Sequence, residues 1–428
     1  MAKKAFINCN LLDGTRDMVL QEGMTVLVEN NRITAVGKDI PVPSDAEKID
    51  LAGKYMMPGM INAHIHLPSS GMPGGSSRTP EQVQKMKKSK IIMAVMKYLC
   101  KKAAKTQLLS GTTTVRTVGG VDEIDSTLRD EINAGKYLGP RILAGNAAVS
   151  VPGGHMAGVL AFEATSPEEG VQFVDRIAKD NPDLIKLMVT GGVLDGKRGE
   201  PGELKMDPAI IKACCDEAHK LGYYVAAHVE SPEGVKAALE NGVDTIEHGA
   251  KPDEYIIKLF KERNAADICT ISPAAPIAMI DPKILKLPED AQFNGEIVLK
   301  GIVDCAKECL ANDIPVGLGT DAGCPWVFHY DTWRELAYFS KYLGVSHECS
   351  IYTATLGNAK ILGIDKETES VEPGKSADLL VLKDNPLADF KTLSTPEMVV
   401  MKGQIIKNPK IKKHEDIDRQ LDEIYERL

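Results

Sequence analysis

Eight short apolar runs, each about strand length and most of them separated by a helical segment, constrain this chain more than any other feature. They are "PGMINAHI", "GTTTVRTV", "PRILAGNAAV", "DLIKLMVT", "GYYVAAHVE", "DTIEHGA", "DICTISPA" and "IPVGLGTDAG". Between most of them lie amphipathic stretches such as "KIIMAVMKYLCKKAAKTQLL", "PEEGVQFVDRIAKD" and "DPAIIKACCDEAHKLG". Parallel strands need long crossovers, and helices supply them, so strict alternation implies a parallel sheet. Eight such units predict an α/β chain built on a closed (β/α)8 barrel of the TIM type. An open doubly wound sheet is the competing arrangement, but no GxGxxG fingerprint follows the first strand.

The two ends of the chain have a different texture. Residues 1–57 form short β-rich runs broken by Asp-Gly, Glu-Gly and Asn-Asn turns, and the pattern returns in "VEPGKSADLLVLKDNPL" and "EMVVMKGQII". The two ends are expected to meet in a small β-sandwich domain with the barrel inserted between them. The expected division is 1–57 and 367–410 for the sandwich, 58–366 for the barrel and 411–428 for a C-terminal helix. That last segment, "KKHEDIDRQLDEIYERL", is amphipathic and expected on the outside or against a partner subunit of a homo-oligomer.

Bulk properties exclude several roles. With 51 Lys+Arg against 60 Asp+Glu, the net charge of -9 disfavours a nucleic-acid partner. No apolar run approaches the roughly 20 residues that span a bilayer, so no membrane partner is expected. The opening "MAKKAFINCNLLDG" lacks the hydrophobic core and cleavage site of a signal peptide and reads as a first strand. Nine cysteines, an odd number without CxxC spacing, read as reduced thiols of a cytoplasmic protein and argue against a thiolate metal site.

Barrel enzymes carry their chemistry where strands end. Polar residues stand out there: His64 and His66 after the first run, Lys186 on the fourth, His228 on the fifth, His248 on the sixth and Asp321 on the eighth. Two histidines two positions apart on a strand project to the same face. A lone histidine is more often packed and hydrogen-bonded than ligating. Four of them with an aspartate at one barrel mouth instead suit a divalent ion, with zinc expected. A cationic Lys186 beside such an ion would be repelled. Its amine could instead add carbon dioxide to give a bridging carbamate, or the side chain could snorkel to the barrel rim.

This set resembles the metal-dependent amidohydrolase superfamily, over nearly the whole chain and including "VEPGKSADLLVL". "LIKLMVTGGV", "GGHMAG" and "GTDAG" resemble its subgroup of imidazolonepropionase-like proteins and Xaa-Pro or Xaa-Arg dipeptidases. The resemblance implies two divalent metal ions, one on His64, His66 and Asp321, the other on His228 and His248, bridged by N6-carboxylysine at Lys186. It implies a hydroxide shared by both ions, with Asp321 moving its proton to the leaving nitrogen, and a small amide substrate such as a dipeptide or N-acyl amino acid. Opening of a cyclic amide or imidazolone ring is the alternative, although such relatives often use one metal and lack the lysine. A non-catalytic scaffold barrel is a third reading; such barrels have usually lost their ligands.

Further pocket residues are expected. His155 in "VPGGHMAG" is a catalytic or substrate-binding candidate. Arg116, Glu230, Trp326 and His329 are candidate substrate contacts, with a structural ion pair for Arg116 and packing for Trp326 as the competing readings. Thr190, Gly191 and Gly192 could bring backbone close to a ligand, and residues 68–80 could form a lid. The chain departs from the subgroup's dipeptidases at Glu230, where they often carry tyrosine. It departs again in "GGHMAGVL", where many carry arginine. A carboxylate at 230 could attract a substrate amine or guanidinium.

Overall fold

The structure is a computed structural model that describes residues 3–74, 79–194, 196–287 and 289–427. Eight strands form the barrel: Met60–Ile65, Thr112–Thr117, Arg141–Leu143, Leu184–Met188, Tyr224–Val229, Thr245–His248, Ala266–Cys269 and Val316–Leu318. The first three pair in parallel, as do the fourth to the eighth. Two joints close the ring. Between the third and fourth strands, Asp183 N donates to Ala144 O at 2.7 Å. Between the eighth and first, Asp321 N donates to His64 O at 2.8 Å, and Ile65 bridges Ala322. Closure rules out the open sheet. Every residue of Met60–Ile65 and Thr112–Thr117 is buried, as expected of strands covered on both faces.

Two runs fold differently from expectation. "PRILAGNAAV" is not one strand but two short ones, Arg141–Leu143 and Ala148–Ser150. The break falls where a Cβ on Gly145 would lie 2.5 Å from Thr117 O and where Asn146 takes φ 55°. "DICTISPA" stops being a strand at Cys269, and a helix runs over Ile271–Met279 despite containing Pro276. Its first backbone donors, Ile271 N and Ser272 N, are accepted by the Glu335 carboxylate at 2.6 and 2.7 Å. A cap arriving from 64 residues away leaves no local sequence signal.

The chain ends form one mixed, eight-stranded sheet in which Tyr55–Pro58 pairs antiparallel with Leu379–Leu382. It packs around a core that includes Phe6, Val26, Ile33, Leu379 and Val400. Ile33 N reaches across to Lys375 O at 2.9 Å. Tyr55–Pro58 runs through Gly59 straight into the first barrel strand, so this sheet fixes the base of the strand carrying His64 and His66. The helix Glu415–Arg427 packs on its own chain, with Leu421 and Ile424 buried and Asp422 bound to Arg334. Among the described residues, no helix is long and apolar enough to cross a membrane.

Candidate metal centre

His64 and His66 point into the barrel mouth together, and each ring has one nitrogen already committed. His64 Nδ1 donates to Glu247 Oε2 at 2.7 Å, and His66 Nδ1 donates to the carbonyl of Gly119 at 2.8 Å. With hydrogen on Nδ1, the neutral form of each ring has a bare Nε2, and both Nε2 atoms face Asp321 Oδ1, at 3.5 and 3.2 Å. In that form three acceptors converge with no hydrogen between them. His64 Nε2 and Asp321 Oδ1 are buried and have no hydrogen-bond partner. Such an arrangement repels itself unless a cation sits among the three, so this donor set fits a divalent ion.

A second group faces the first. His228 Nε2 lies 3.3 Å from Gly191 O, which leaves Nδ1 directed inward, and His248 Nδ1 lies 2.7 Å from Thr270 Oγ1, which leaves Nε2. One ligand atom each from His228, Glu230 and His248 lie within 4.8 Å of one another, as do those from His64, His66 and Asp321. The rings of His64 and His248 are 4.8 Å apart and those of His228 and His248 4.6 Å, so both groups share one cavity. His248 at φ 71° and Asp321 at φ 57° both hold left-handed backbone, an unfavourable conformation for these residues and one that gathers at functional sites.

Lys186 lies buried among them, on the fourth strand opposite Ala226. Burial pushes its amine down to about 8. Burial and the Lys186 charge push the His64 imidazole down to about 4. His228 and His248 are also held well below the usual imidazole range, chiefly by burial. All three rings are thus neutral near pH 7, the form that ligates metal.

Glu247 orders this centre, although strand-end polarity alone did not single it out. It is fully buried between His64 and Arg116. Burial opposes its charge, yet Arg116 and His64 hold its carboxyl well below the usual carboxylate range. Arg116 Nη2 donates to both Glu247 oxygens at 2.7 and 2.8 Å, Nη1 to Thr245 Oγ1 at 3.1 Å and Nε to Ala63 O at 2.6 Å. Arg116 is therefore engaged in the ion-pair alternative, with Nε, Nη1 and Nη2 all bonded within the protein. The signal was available: two opposite charges in runs otherwise buried on both faces must find each other.

Two other expected substrate contacts hold the loop instead. His329 is buried, with Nε2 donating to Ser69 O at 2.9 Å and Nδ1 3.4 Å from Gln107 Nε2. Trp326 is buried in the core, and its backbone N–H donates to Gly71 O at 2.7 Å. The described part of the 68–80 segment is thereby tethered to residues 323–329, while 75–78 of the expected lid lie outside the described residues. His155 does reach the centre, its ring stacked on His228 at 4.2 Å and 8°. Thr190 Oγ1 accepts from Glu230 N at 3.1 Å and donates to Gly191 O, the carbonyl facing His228.

The profile of the Amidohydrolase family matches residues 55–406. A Bifidobacterium longum protein assigned as a prolidase shares the fold with TM-score 0.88 and 36% identity, over 99% of both chains. An Xaa-Pro dipeptidase with methionine bound in its active site matches with TM-score 0.83 and 28% identity, over 95% of this chain and 100% of that one. Ochratoxinase of Aspergillus niger is 25% identical over an alignment of 308 positions that covers 65% of this chain and 63% of the relative's own length.

Proposed function

The chain belongs to the amidohydrolase family, and from that premise we propose that it is a metal-dependent hydrolase of small amides, dipeptides or N-acyl amino acids. The observation that carries this reading is the convergence of His64 Nε2, His66 Nε2 and Asp321 Oδ1, with His64 Nε2 and Asp321 Oδ1 buried and without a hydrogen-bond partner. The similar Xaa-Pro dipeptidase, which has an amino acid in its active site, supports a dipeptide-sized substrate. In this reading one ion is held by His64, His66 and Asp321 and a second by His228 and His248, with carboxylated Lys186 between them. Imidazole and carboxylate suit zinc.

When bound, the ions would acidify a water and polarise the scissile carbonyl. The chain's own residues supply the rest. Asp321 accepts the proton from the attacking water and returns it to the departing nitrogen, work suited to a carboxylate at the barrel rim. Glu247 and Gly119 fix the tautomers of His64 and His66. Burial lowers the Lys186 amine to about 8, which favours the neutral form, the form that adds to carbon dioxide. All nine cysteines are free, which suits a reducing compartment such as the cytoplasm. Exposed Ile91, Val95 and Tyr98 on the helix Lys90–Leu109 offer a surface for a homo-oligomer.

The test is to load the protein with zinc, measure metal per chain, and screen dipeptides, N-acyl amino acids and cyclic amides. Two ions with dipeptide or N-acyl cleavage, lost in Lys186→Ala, support the reading. One ion with cyclic-amide opening alone would replace it with the ring-opening alternative, and a chain that binds no metal would refute it.

A further inference from the structure

We infer that the Glu230 carboxylate is a subsite for the free α-ammonium of the substrate. The chain then acts on aminoacyl compounds such as dipeptides in preference to N-acyl amino acids. The inference deepens the proposed function and rests on it, with carboxylated Lys186 kept as the bridge between the ions.

Position comes first. Where the fifth and sixth barrel strands pair, Val229 lies opposite His248. Alternate residues project to one face, so His228 and Glu230, on either side of Val229, share a face. One carboxylate oxygen of Glu230 lies within 4.8 Å of a ring nitrogen of His228 and of one of His248. Two backbone contacts keep the residue there. Glu230 N donates to Thr190 Oγ1 at 3.1 Å, and an added Cβ on Gly202, at φ 74°, would lie 2.4 Å from Glu230 O.

Coordination leaves this carboxylate to the substrate. In the two-ion reading His228, His248, the Lys186 carbamate and the shared hydroxide already give the second ion four ligands. A substrate carbonyl makes the fifth that catalytic zinc accepts. In an aminoacyl compound the α-nitrogen is three bonds from the scissile carbonyl oxygen, about 3 Å away. A carbonyl polarised beside His228 and His248 therefore brings that nitrogen within reach of Glu230. An ammonium so close to two divalent ions is repelled unless an anion adjoins it, and Glu230 is that anion. A charge-assisted bond of this kind favours the aminoacyl compound by about 10–100-fold. An N-acyl amino acid carries no charge at the same position and forgoes the bond.

The full-length protein is loaded with zinc in bicarbonate-containing buffer, and metal per chain is read by mass spectrometry. Alanyl and propionyl derivatives of the same amino acids differ only in the α-amine, and kcat/KM is measured for each pair. Calorimetry compares L-alanine with propionate, the corresponding acyl products. Wild type is expected to favour the alanyl compounds, and L-alanine, by at least about tenfold. In Glu230→Gln both preferences should fall below about threefold while two ions stay bound. The preference for L-alanine should stay level from pH 6 to 8, where its nitrogen remains an ammonium.

A wild-type preference below tenfold, or one unchanged in Glu230→Gln, would overturn the inference and leave the hydrolase reading intact. Loss of an ion from Glu230→Gln would also overturn it, since the carboxylate would then be a ligand. So would a preference for L-alanine that climbs tenfold per pH unit, the mark of a neutral amine chelating an ion. If Glu230→Gln does not fold, Glu230→Asp takes its place: a reduced preference supports the subsite and an unchanged one overturns it. Cleavage of neither kind of compound would sink the hydrolase reading, while the calorimetric preferences would still decide the subsite.

Discussion

Glu247→Gln perturbs the buried pair with Arg116 that also holds His64. The glutamine keeps the volume and one acceptor but removes the charge opposite Arg116, whose guanidinium is 4% exposed and lies 2.7 Å from Glu247. At an effective dielectric of about 20 and a charge separation of about 4 Å, the lost attraction is about 4 kcal/mol. That agrees with the cost of about 3–5 kcal/mol for breaking a buried pair and leaving one charge uncompensated. His64 loses the anionic acceptor on Nδ1, so the first ion should bind 10–100-fold more weakly, about 1.4–2.7 kcal/mol. Stability is measured by chemical denaturation of the metal-free protein, and affinity by competition for zinc against a chelating dye. The double variant Arg116→Met with Glu247→Leu separates the two effects. Its stability loss should be smaller than the sum of the single variants by more than about 2 kcal/mol, because no buried charge is left alone. Its zinc affinity should stay low, because His64 still lacks an acceptor. Additive stability losses, or wild-type zinc affinity in Glu247→Gln, would refute the role given to this pair.

Three further substitutions probe other supports. Thr270→Val removes the partner of His248 Nδ1. It should weaken the second ion 10–100-fold in a zinc titration and cost about 1–3 kcal/mol of stability, since His248 Nδ1 is left buried without a partner. Gly319→Ala puts a Cβ 2.5 Å from His64 Cβ. Denaturation should register about 1–3 kcal/mol of overpacking, together with weakened binding at the first site. Glu369→Gln tests a pH dependence away from the metals. Burial, reinforced by Asp378, pushes the Glu369 carboxyl up to about 8, against about 4.3 when unfolded. Between those values the folded chain holds a proton that the unfolded chain releases, so stability falls as pH rises through that window. The glutamine variant should show a shallower decline from pH 5 to 8; equal slopes would contradict the assignment.

How far the site was legible in the sequence depended on whether its residues broke a local pattern. His64, His66, His228, His248 and Asp321 fall at or just past the end of an apolar strand run, Lys186 interrupts one at its middle, and barrel geometry says where such ends meet. Glu247 and Arg116 also sit in buried runs, but their partnership spans 131 residues and follows from the barrel's closure, not from either segment alone. Trp326 and His329 follow Asp321 closely and so looked like pocket walls; only the return of residues 69–71 beneath them makes them anchors. The helix Ile271–Met279 stayed hidden because its two prolines read as a break and its cap, Glu335, comes from elsewhere in the fold. Glu230 could be noticed as a departure from the subgroup, but its nearness to His248, on the next strand, follows from the pairing of the two strands.

The most direct measurement is anomalous X-ray diffraction at the zinc edge from crystals of the zinc-loaded full chain. Two peaks are predicted, one about 2.0–2.2 Å from His64 Nε2, His66 Nε2 and an Asp321 oxygen, the other at the same distance from His228 Nδ1 and His248 Nε2. A cavity with no anomalous peak, or zinc bound only at the protein surface, would contradict the account.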